Sequence, residues 1–241
     1  MIGWIIFLLQ EYGSYFLKGT WNTLTTAVLG TLLGFVLGFL IGMMESTPVS
    51  SDEAAAKKGI WFGIKSLCKL FVELFRDTPM MVQAMVIYYG LKQYQVDITP
   101  YTAAVLVITL NTGAYMAETV RGGILSIDPG QREGGMALGM SHFMIMFSVV
   151  LPQAFRNILP EMGNLFITNL KMTSVLNVIG ISELYFITKT AANTYYRYFE
   201  AFLITGLIYL VLCLIFSRLF AWVEKWVEGS SSYELATEYM E

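Results

Sequence analysis

The sequence predicts an all-α integral membrane protein with about five transmembrane helices. Of its 241 residues, 56% are hydrophobic and 14% are charged, whereas soluble domains carry about 25% charged residues. The mean hydropathy is +0.59. Several stretches also approach the ~20 mostly apolar residues that a helix needs to cross a bilayer, where unsatisfied backbone groups cannot face lipid. The surroundings of most of the chain are therefore expected to be lipid rather than water.

Composition also argues against several kinds of site. A net charge of −3 gives no electrostatic basis for binding nucleic acid. Cys68 and Cys213 lie far apart in or beside apolar stretches, so we expect two buried thiols rather than a metal site or a disulfide. Residues 1–12 lack the basic start and small-residue cleavage site of a signal peptide, so the first membrane helix is expected to direct insertion.

The first predicted span runs from Trp21 to Met43 and follows an external segment, residues 1–18. Four glycines spaced four residues apart share one face of this span: Gly30, Gly34, Gly38 and Gly42. Small residues at that spacing allow a neighbouring helix to approach closely. The alternative is that these glycines are merely tolerated in a membrane helix and have no packing role.

The next elements lead from a polar linker into the second and third spans. Residues 46–58 predict a cytosolic linker, and residues 60–75 predict an amphipathic helix. The second span covers Pro79–Gln93 or begins several residues earlier. The third span covers Pro100–Val120.

The last two predicted spans are Ile158–Ile181 and Phe199–Val223. Residues 224–241 form a cytosolic tail whose acidic part, from Gly229 onward, is expected to be mobile. No tandem repeat is apparent, so residues 19–223 are interpreted as one membrane domain.

The basic residues predict an orientation with the N-terminus outside and the C-terminus inside, because cytoplasmic segments carry an excess of Lys and Arg. In that orientation the inner segments hold nine basic residues: Lys57, Lys58, Lys65, Lys69, Arg121, Arg132, Arg156, Arg218 and Lys225. The outer segments hold four: Lys18, Lys92, Lys189 and Arg197.

A polar stretch punctuated by glycine interrupts the apolar chain between residues 129 and 152. Its pattern is helical, but its start is too polar to cross a membrane. Glycines permit close approach of another chain, and methionine side chains adapt to an irregular groove; both types cluster here, as Gly134, Gly135, Gly139, Met136 and Met140. The residues alone leave two alternatives, a docking surface for a cytosolic partner or an ordinary interfacial loop.

This stretch resembles the EAA loop of the permease subunits of bacterial ABC importers. The pattern of that loop is Glu-Ala-Ala, three residues, Gly, nine residues and Ile-x-Leu-Pro. Here Glu133 is followed by two glycines, Gly139 comes after three more residues, and Val149-x-Leu151-Pro152 follows after nine. Glycine replaces both alanines, which keeps the positions small but loosens the helix by roughly 1 kcal/mol each.

More of the chain is similar to the polar amino acid branch of this family, the histidine/glutamine permease-like branch. Residues 111–131 resemble its signature before the loop, residues 151–184 the segment after it, and residues 73–91 its second span. The likeness covers about residues 19–220 and implies a type I ABC importer permease fold. In such importers the loop, here about residues 128–152, is a coupling helix seated in a groove of the ATPase subunit. The coupling residues implied here are Arg132, Glu133, Gly134, Gly135, Ala137 and Gly139.

The resemblance also implies the partners of an ATP-driven amino acid importer in the bacterial cytoplasmic membrane. These are a cytosolic ABC ATPase dimer, a second permease subunit that is identical or a sibling, and an extracellular or periplasmic amino acid-binding protein. The amino acid substrate and membrane lipid complete the set. The chain has no Gly-x-x-x-x-Gly-Lys-Ser/Thr loop, so ATP is expected to bind a partner, and we predict no enzyme activity, cofactor or metal in the chain itself.

Polar residues inside spans are costly and therefore indicate candidate substrate contacts. The third span carries one helical stripe of polar residues, Asn111, Tyr115 and Glu118, and the fourth carries another, Glu161, Asn164, Thr168 and Lys171. Amide and ammonium groups can donate to a substrate carboxylate, and carboxylates can accept from its ammonium group. The alternative is hydrogen bonding between helices that only holds the bundle together.

Three charged positions raise separate questions. Glu118 and Lys171 are a conceivable buried ion pair, although their estimated depths differ. Arg76 and Asp77 are interpreted as a structural charge pair at the inner interface. Where the family commonly has Lys-Asp-Thr-Ser-Leu, this chain has Lys-Met-Thr-Ser-Val from Lys171, which weakens any inference of a cationic substrate.

Two other classes of function compete with this interpretation. An intramembrane enzyme lacks support, because the single histidine, His142, neighbours Ser141 in a segment predicted to be cytosolic and cannot build a zinc site with two scattered cysteines. An ion- or proton-coupled secondary transporter would normally have more spans and an internal repeat. About five spans instead predict half of a pathway.

Overall fold

The computed structural model describes residues 1–47 and 54–228, and the ordered elements within them are helices. Residues 48–53 of the predicted linker and the predicted acidic tail from Gly229 lie outside the described residues. The elements are α1 (Ile2–Ser46), α2 (Ala55–Arg76), α3 (Met80–Gln93), α4 (Pro100–Leu125), α5 (Pro129–Ala137), α6 (His142–Ile145), a π-helical turn (Met146–Val150), α7 (Leu151–Met172), a 3₁₀ segment (Thr173–Ile179), α8 (Leu184–Tyr195) and α9 (Tyr198–Glu228).

Four stretches of the described chain are long and apolar enough to cross a membrane: Ile2–Ser46, Pro100–Leu125, His142–Ile179 and Tyr198–Val227. The predicted second span coincides with α3, which has 14 residues. At 1.5 Å per residue α3 extends about 21 Å, short of the ~30 Å hydrocarbon core. A second crossing would therefore need residues of α2 as well, on the other side of the break at Pro79.

The N-terminal segment is continuous with the first predicted span. Residues 2–18 are the first turns of the 45-residue helix α1. Leu8 and Phe16 are buried in a cluster with Leu184 of α8 and Ile204 of α9. Apolar packing on α8 and α9 thus fixes this end of α1, while its external location stays a prediction.

The glycine stripe of α1 lies directly against α4, as predicted. A Cβ atom added at Gly30, Gly34 or Gly38 would lie 2.4–2.6 Å from side-chain atoms of α4, and one at Gly42 would lie 2.7 Å from a carbonyl oxygen of α4. Real Cβ atoms do not come that close. The close approach of α1 and α4 therefore requires glycine along the whole stripe.

A buried polar cluster joins three helices in the middle of the bundle. The Asn169 side-chain amide of α7 donates to the hydroxyls of Thr31 in α1, at 2.9 Å, and of Thr112 in α4, at 2.7 Å. All three side chains are buried. Because lipid offers no alternative partner, these bonds orient α7 with its remaining polar face turned away from α1 and α4.

Candidate functional site

The segment with the EAA-like pattern folds as two short helices separated by a glycine turn. Pro129 occupies the first turn of α5, and the Asp128 side chain accepts from the Gly130 amide at 2.6 Å, which caps the helix. The α5 helix ends at Ala137, and Gly139, two residues later, has a left-handed backbone with a φ of +77°. The amide of Gly139 donates to the Met136 carbonyl and that of Met140 donates to the Gly135 carbonyl, which is the Schellman arrangement.

The predicted coupling residues divide into those that shape this segment and those that its surface presents. Gly135 is buried, and a Cβ there would lie 2.7 Å from Ile145, so its small size serves packing inside the segment. Glu133, Gly134, Ala137 and Gly139 are exposed, and Arg132 is half-buried. Large apolar side chains are exposed beside them: Met136, Leu138, Phe143 and Met144.

The histidine of this segment lies beside a small cavity. His142 and Arg132 border a space of about 170 Å³ that is otherwise lined by apolar side chains of α5, α6 and the π-helical turn. Ser141 caps α6, since its hydroxyl accepts from the Met144 amide at 3.2 Å. His142 therefore lies at the first position of α6, within the segment that the resemblance assigns to docking.

The predicted stripe on α7 is uncovered in this chain. Glu161, Asn164, Thr168 and Lys171 are all exposed, whereas Gly163, Phe166, Asn169 and Leu170 on the other faces are buried. Within the stripe, the Asn164 amide lies 3.5 Å from a Glu161 carboxylate oxygen. The stripe lies in the stretch His142–Ile179, which is long and apolar enough to cross a membrane. An apolar helix thus presents an unpartnered polar face.

A cavity of about 320 Å³ lies where this stripe ends. Lys171 and residues of α9 line it, together with one residue each from the 3₁₀ segment and α8. The other lining residues are Ser174, Tyr185, Phe202, Thr205, Gly206 and Tyr209. One ammonium group, several hydroxyls and three aromatic rings give this cavity both polar and apolar surfaces.

The predicted stripe on α4 contacts a different part of the molecule. The Asn111 amide donates to the Phe75 carbonyl at 2.9 Å, the Tyr115 hydroxyl lies 3.4 Å from the Arg76 carbonyl, and Glu118 forms an ion pair with Arg76 at 3.0 Å. These partners lie at the end of α2, where the chain turns into α3. Among the described residues, no hydrogen bond or ion pair joins this stripe to the α7 stripe.

This arrangement replaces the expected pair of Arg76 with Asp77 and leaves the conceivable pair of Glu118 with Lys171 unformed. Arg76 pairs with Glu118 of α4 rather than with its neighbour Asp77. The second guanidinium on Glu118 belongs to Arg121, at 2.5 Å, so the conceivable pair of Glu118 with Lys171 does not form. The pair of Arg76 with Glu118 arises because the turn at Pro79 brings the end of α2 against α4, a proximity that spacing along one helix does not reveal.

Three buried polar residues that hold the fold together were not singled out from the sequence. Gln83 binds the turn between α2 and α3, Asn169 joins three helices, and Glu183 is fully buried and caps α8 by accepting from the amides of Tyr185 and Phe186. Gln83 and Asn169 carried a usable signal, since each is a polar residue within a predicted span. Glu183 precedes a helix of 12 residues that the sequence analysis did not separate from its surroundings.

Known proteins similar to this chain are permeases and inner membrane components of transport systems. Residues 62–229 match the family described as binding-protein-dependent transport system inner membrane component. The probable amino-acid ABC transporter permease protein PatM of Vibrio harveyi is 39% identical over 164 residues, which cover 67% of this chain and 74% of PatM. The glutamine transport system permease protein GlnP of Escherichia coli (strain K12) is 40% identical over 158 residues, which cover 65% of this chain and 72% of GlnP.

Solved structures share the arrangement of helices over most of the chain. A structure described as an amino acid ABC transporter with histidines has a TM-score of 0.79 at 36% identity, covering 90% of this chain and 95% of that chain. An inward-facing form of the MetNI methionine ABC transporter has a TM-score of 0.74 at 20% identity, covering 90% and 98%. The second likeness concerns the fold alone.

Proposed function

Since this chain belongs to the family of binding-protein-dependent transport system inner membrane components, and is an amino acid ABC permease subunit of the bacterial cytoplasmic membrane, we propose that it forms one half of an ATP-driven import pathway. A second permease subunit, identical or a sibling, forms the other half. A cytosolic ABC ATPase dimer supplies the energy, and an external binding protein delivers the amino acid.

The uncovered polar stripe on α7 carries this proposal. Glu161 and Lys171 are exposed on a helix of membrane-crossing length and composition. A charged side chain facing lipid near the bilayer centre costs about 2.5–3.5 kcal/mol. Lipid is therefore an unfavourable neighbour for this face, and a second permease chain with water between the two halves is a favourable one.

The groups of the stripe suit a zwitterionic amino acid. Lys171 and the Asn164 amide can donate to its carboxylate, and Glu161 can accept from its ammonium group. Glu161 and Lys171 are ten residues apart, about 15 Å along the helix, which exceeds the separation of the two charges on one α-amino acid. The substrate would therefore meet these charges in succession, as expected of a pathway rather than of a single tight site.

The glycine-turn segment is the proposed contact with the ATPase. It presents Glu133, Gly134, Ala137 and Gly139 together with exposed apolar side chains that include Leu138, which is 83% exposed. Such apolar exposure beside small residues fits a docking surface that another protein covers. The excess of basic residues on the same side of the predicted membrane supports a cytosolic location. An ion-coupled secondary transporter, the competing function, would not need this surface.

Two asparagines on opposite faces of α7 provide a matched test of the pathway. We expect Asn164→Ala to change maximal uptake or substrate selectivity in proteoliposomes while the melting temperature of the purified complex stays near normal. Asn169→Ala, the control, removes the bonds to Thr31 and Thr112 and should destabilise the complex by about 1 kcal/mol, since membrane hydrogen bonds average ~0.6 kcal/mol each, with selectivity unchanged.

Extending the measurement to Glu161→Gln, Thr168→Ala and Lys171→Gln covers the whole stripe. Affinity of the external binding protein for its ligand should not change in any of these variants. If every stripe substitution only destabilises the complex and leaves selectivity intact, the stripe holds helices together and the pathway proposal is wrong.

A further inference from the structure

The corner between α2 and α3 is a break in a helical stretch whose freed backbone groups are bound by side chains. Pro79 lacks an amide hydrogen and disfavours helix in the residue before it, so α2 ends at Arg76 and α3 begins at Met80. The Gln83 amide donates to the carbonyls of Phe75, at 2.8 Å, and Thr78, at 2.9 Å. The corner is therefore a defined structure with its polar groups satisfied.

The α4 stripe binds this corner with three successive polar side chains. Asn111 reaches the Phe75 carbonyl, Tyr115 reaches the Arg76 carbonyl, and Glu118 reaches the Arg76 guanidinium. The Glu118 carboxylate uses one oxygen for Arg76 and the other for Arg121 of its own helix. Only the Arg76 pair crosses between helices, so it is the ionic part of the connection.

The space beside this connection is open. A cavity of about 600 Å³ lies next to the corner, bordered by Glu45 of α1, by Lys65 and Lys69 of α2 and by Asp77. Apart from Val72, the side chains that line this cavity are charged, and Arg76 and Glu118 are among them. On α4, Asn111, Tyr115 and Glu118 supply the polar contacts that hold the corner beside this cavity.

The positions of α3 and α4 place this connection between the glycine-turn segment and the proposed pathway. Glu118 lies about two helical turns before α4 ends at Leu125, and α5 begins four residues later, at Pro129. At the other end, Met80 and Ala84 of α3 pack with Leu176 of the 3₁₀ segment, which directly follows the Lys171 end of the α7 stripe. A continuous series of packed elements thus runs from the glycine-turn segment through α4, the corner and α3 to the proposed pathway.

We propose that Arg76 and Glu118 are positioning residues that make the corner move with α4 when the ATPase moves the glycine-turn segment. This inference rests on the proposed function, because it assumes that the ATPase docks there. It assigns the α4 stripe, Asn111, Tyr115 and Glu118, to force transmission rather than to substrate contact. The ion pair keeps the corner at a fixed distance from α4, so displacement of one displaces the other.

Arg76 and Arg121 form a matched pair for the test, since both bind Glu118 but only Arg76 links two helices. The complete complex with its ATPase and binding protein is reconstituted in proteoliposomes, and uptake per ATP hydrolysed is measured. We expect Arg76→Gln to lower that ratio about fivefold, and Arg121→Gln to change it by less than about twofold, while both complexes assemble. A purely structural role would lower yield or melting temperature and leave the ratio unchanged.

A normal ratio in assembled Arg76→Gln, or equal losses in both variants, overturns the inference. If Arg76→Gln assembles poorly, the ratio is measured on Glu118→Asp, which keeps the charge but withdraws it by one methylene, and a normal ratio there also overturns it. Absence of substrate-dependent uptake by the wild-type complex would instead refute the proposed function, so the two failures are distinguishable.

Discussion

The left-handed turn at Gly139 offers a direct test of whether the glycine-turn segment must be ordered for ATPase docking. Gly139 has a φ of +77°, and a Cβ added there would meet nothing within 4 Å. Gly139→Ala therefore creates no clash and acts only through the backbone. An L-residue in this conformation costs about 1–2 kcal/mol relative to its preferred ones. The two hydrogen bonds that end α5, at 2.9 Å and 3.0 Å, weaken with it.

Gly134→Ala is the matched control in the same helix. Gly134 also has open space around its missing Cβ, but its φ is helical, so alanine there should stabilise α5 by roughly 0.5–1 kcal/mol. The two substitutions add the same methyl group a few residues apart and should have opposite effects on the order of the segment.

The assay is titration of permease in nanodiscs with the purified ATPase subunit, accompanied by amide hydrogen exchange. Because the substitution costs about 1–2 kcal/mol, the Gly139→Ala permease should bind the ATPase subunit about 5- to 30-fold more weakly than wild type. Its Met140 amide should exchange hydrogen faster by a similar factor. Gly134→Ala should bind as well as wild type or better. Equal binding by the two variants would refute the reasoning, because the turn would then not have to be preformed for docking.

Two further predictions concern packing and orientation. At Gly38 of α1 an added Cβ would lie 2.4 Å from Met116 and 2.8 Å from the Gly113 carbonyl oxygen, so Gly38→Ala must separate α1 from α4 by about 1 Å. We expect this substitution to cost at least ~1–3 kcal/mol of stability, measured by thermal melting. The control Gly13→Ala, on the same helix with nothing within 4 Å, should melt like wild type, and equal melting of the two variants would contradict the packing. A reporter fused after Lys58 or His142 should be cytosolic and one near Asn193 external, whereas an external reporter at His142 would rule out both the N-out orientation and ATPase docking at this segment.

The sequence by itself determined the features that depend on local pattern. Long apolar stretches identified α1, α4, α7 and α9, because a lipid-exposed backbone must bond within its own helix. The glycine stripe on α1 predicted a close neighbour, and the spacing around Gly139 predicted the segment that resembles an EAA loop. These inferences concern one stretch of chain at a time, and the structure confirms the helices and the close packing of α1 on α4.

The tertiary structure alone decided which polar side chains meet. Thr168 and Asn169 are adjacent in sequence and both polar, yet Thr168 is exposed and Asn169 is buried between α1 and α4. The stripe on α4 had the same appearance in the sequence as the stripe on α7, but the turn at Pro79 places the end of α2 against it. Periodicity tells which residues share a face of a helix, whereas the rotation of that helix and the identity of its neighbour are set by contacts between residues far apart in the chain.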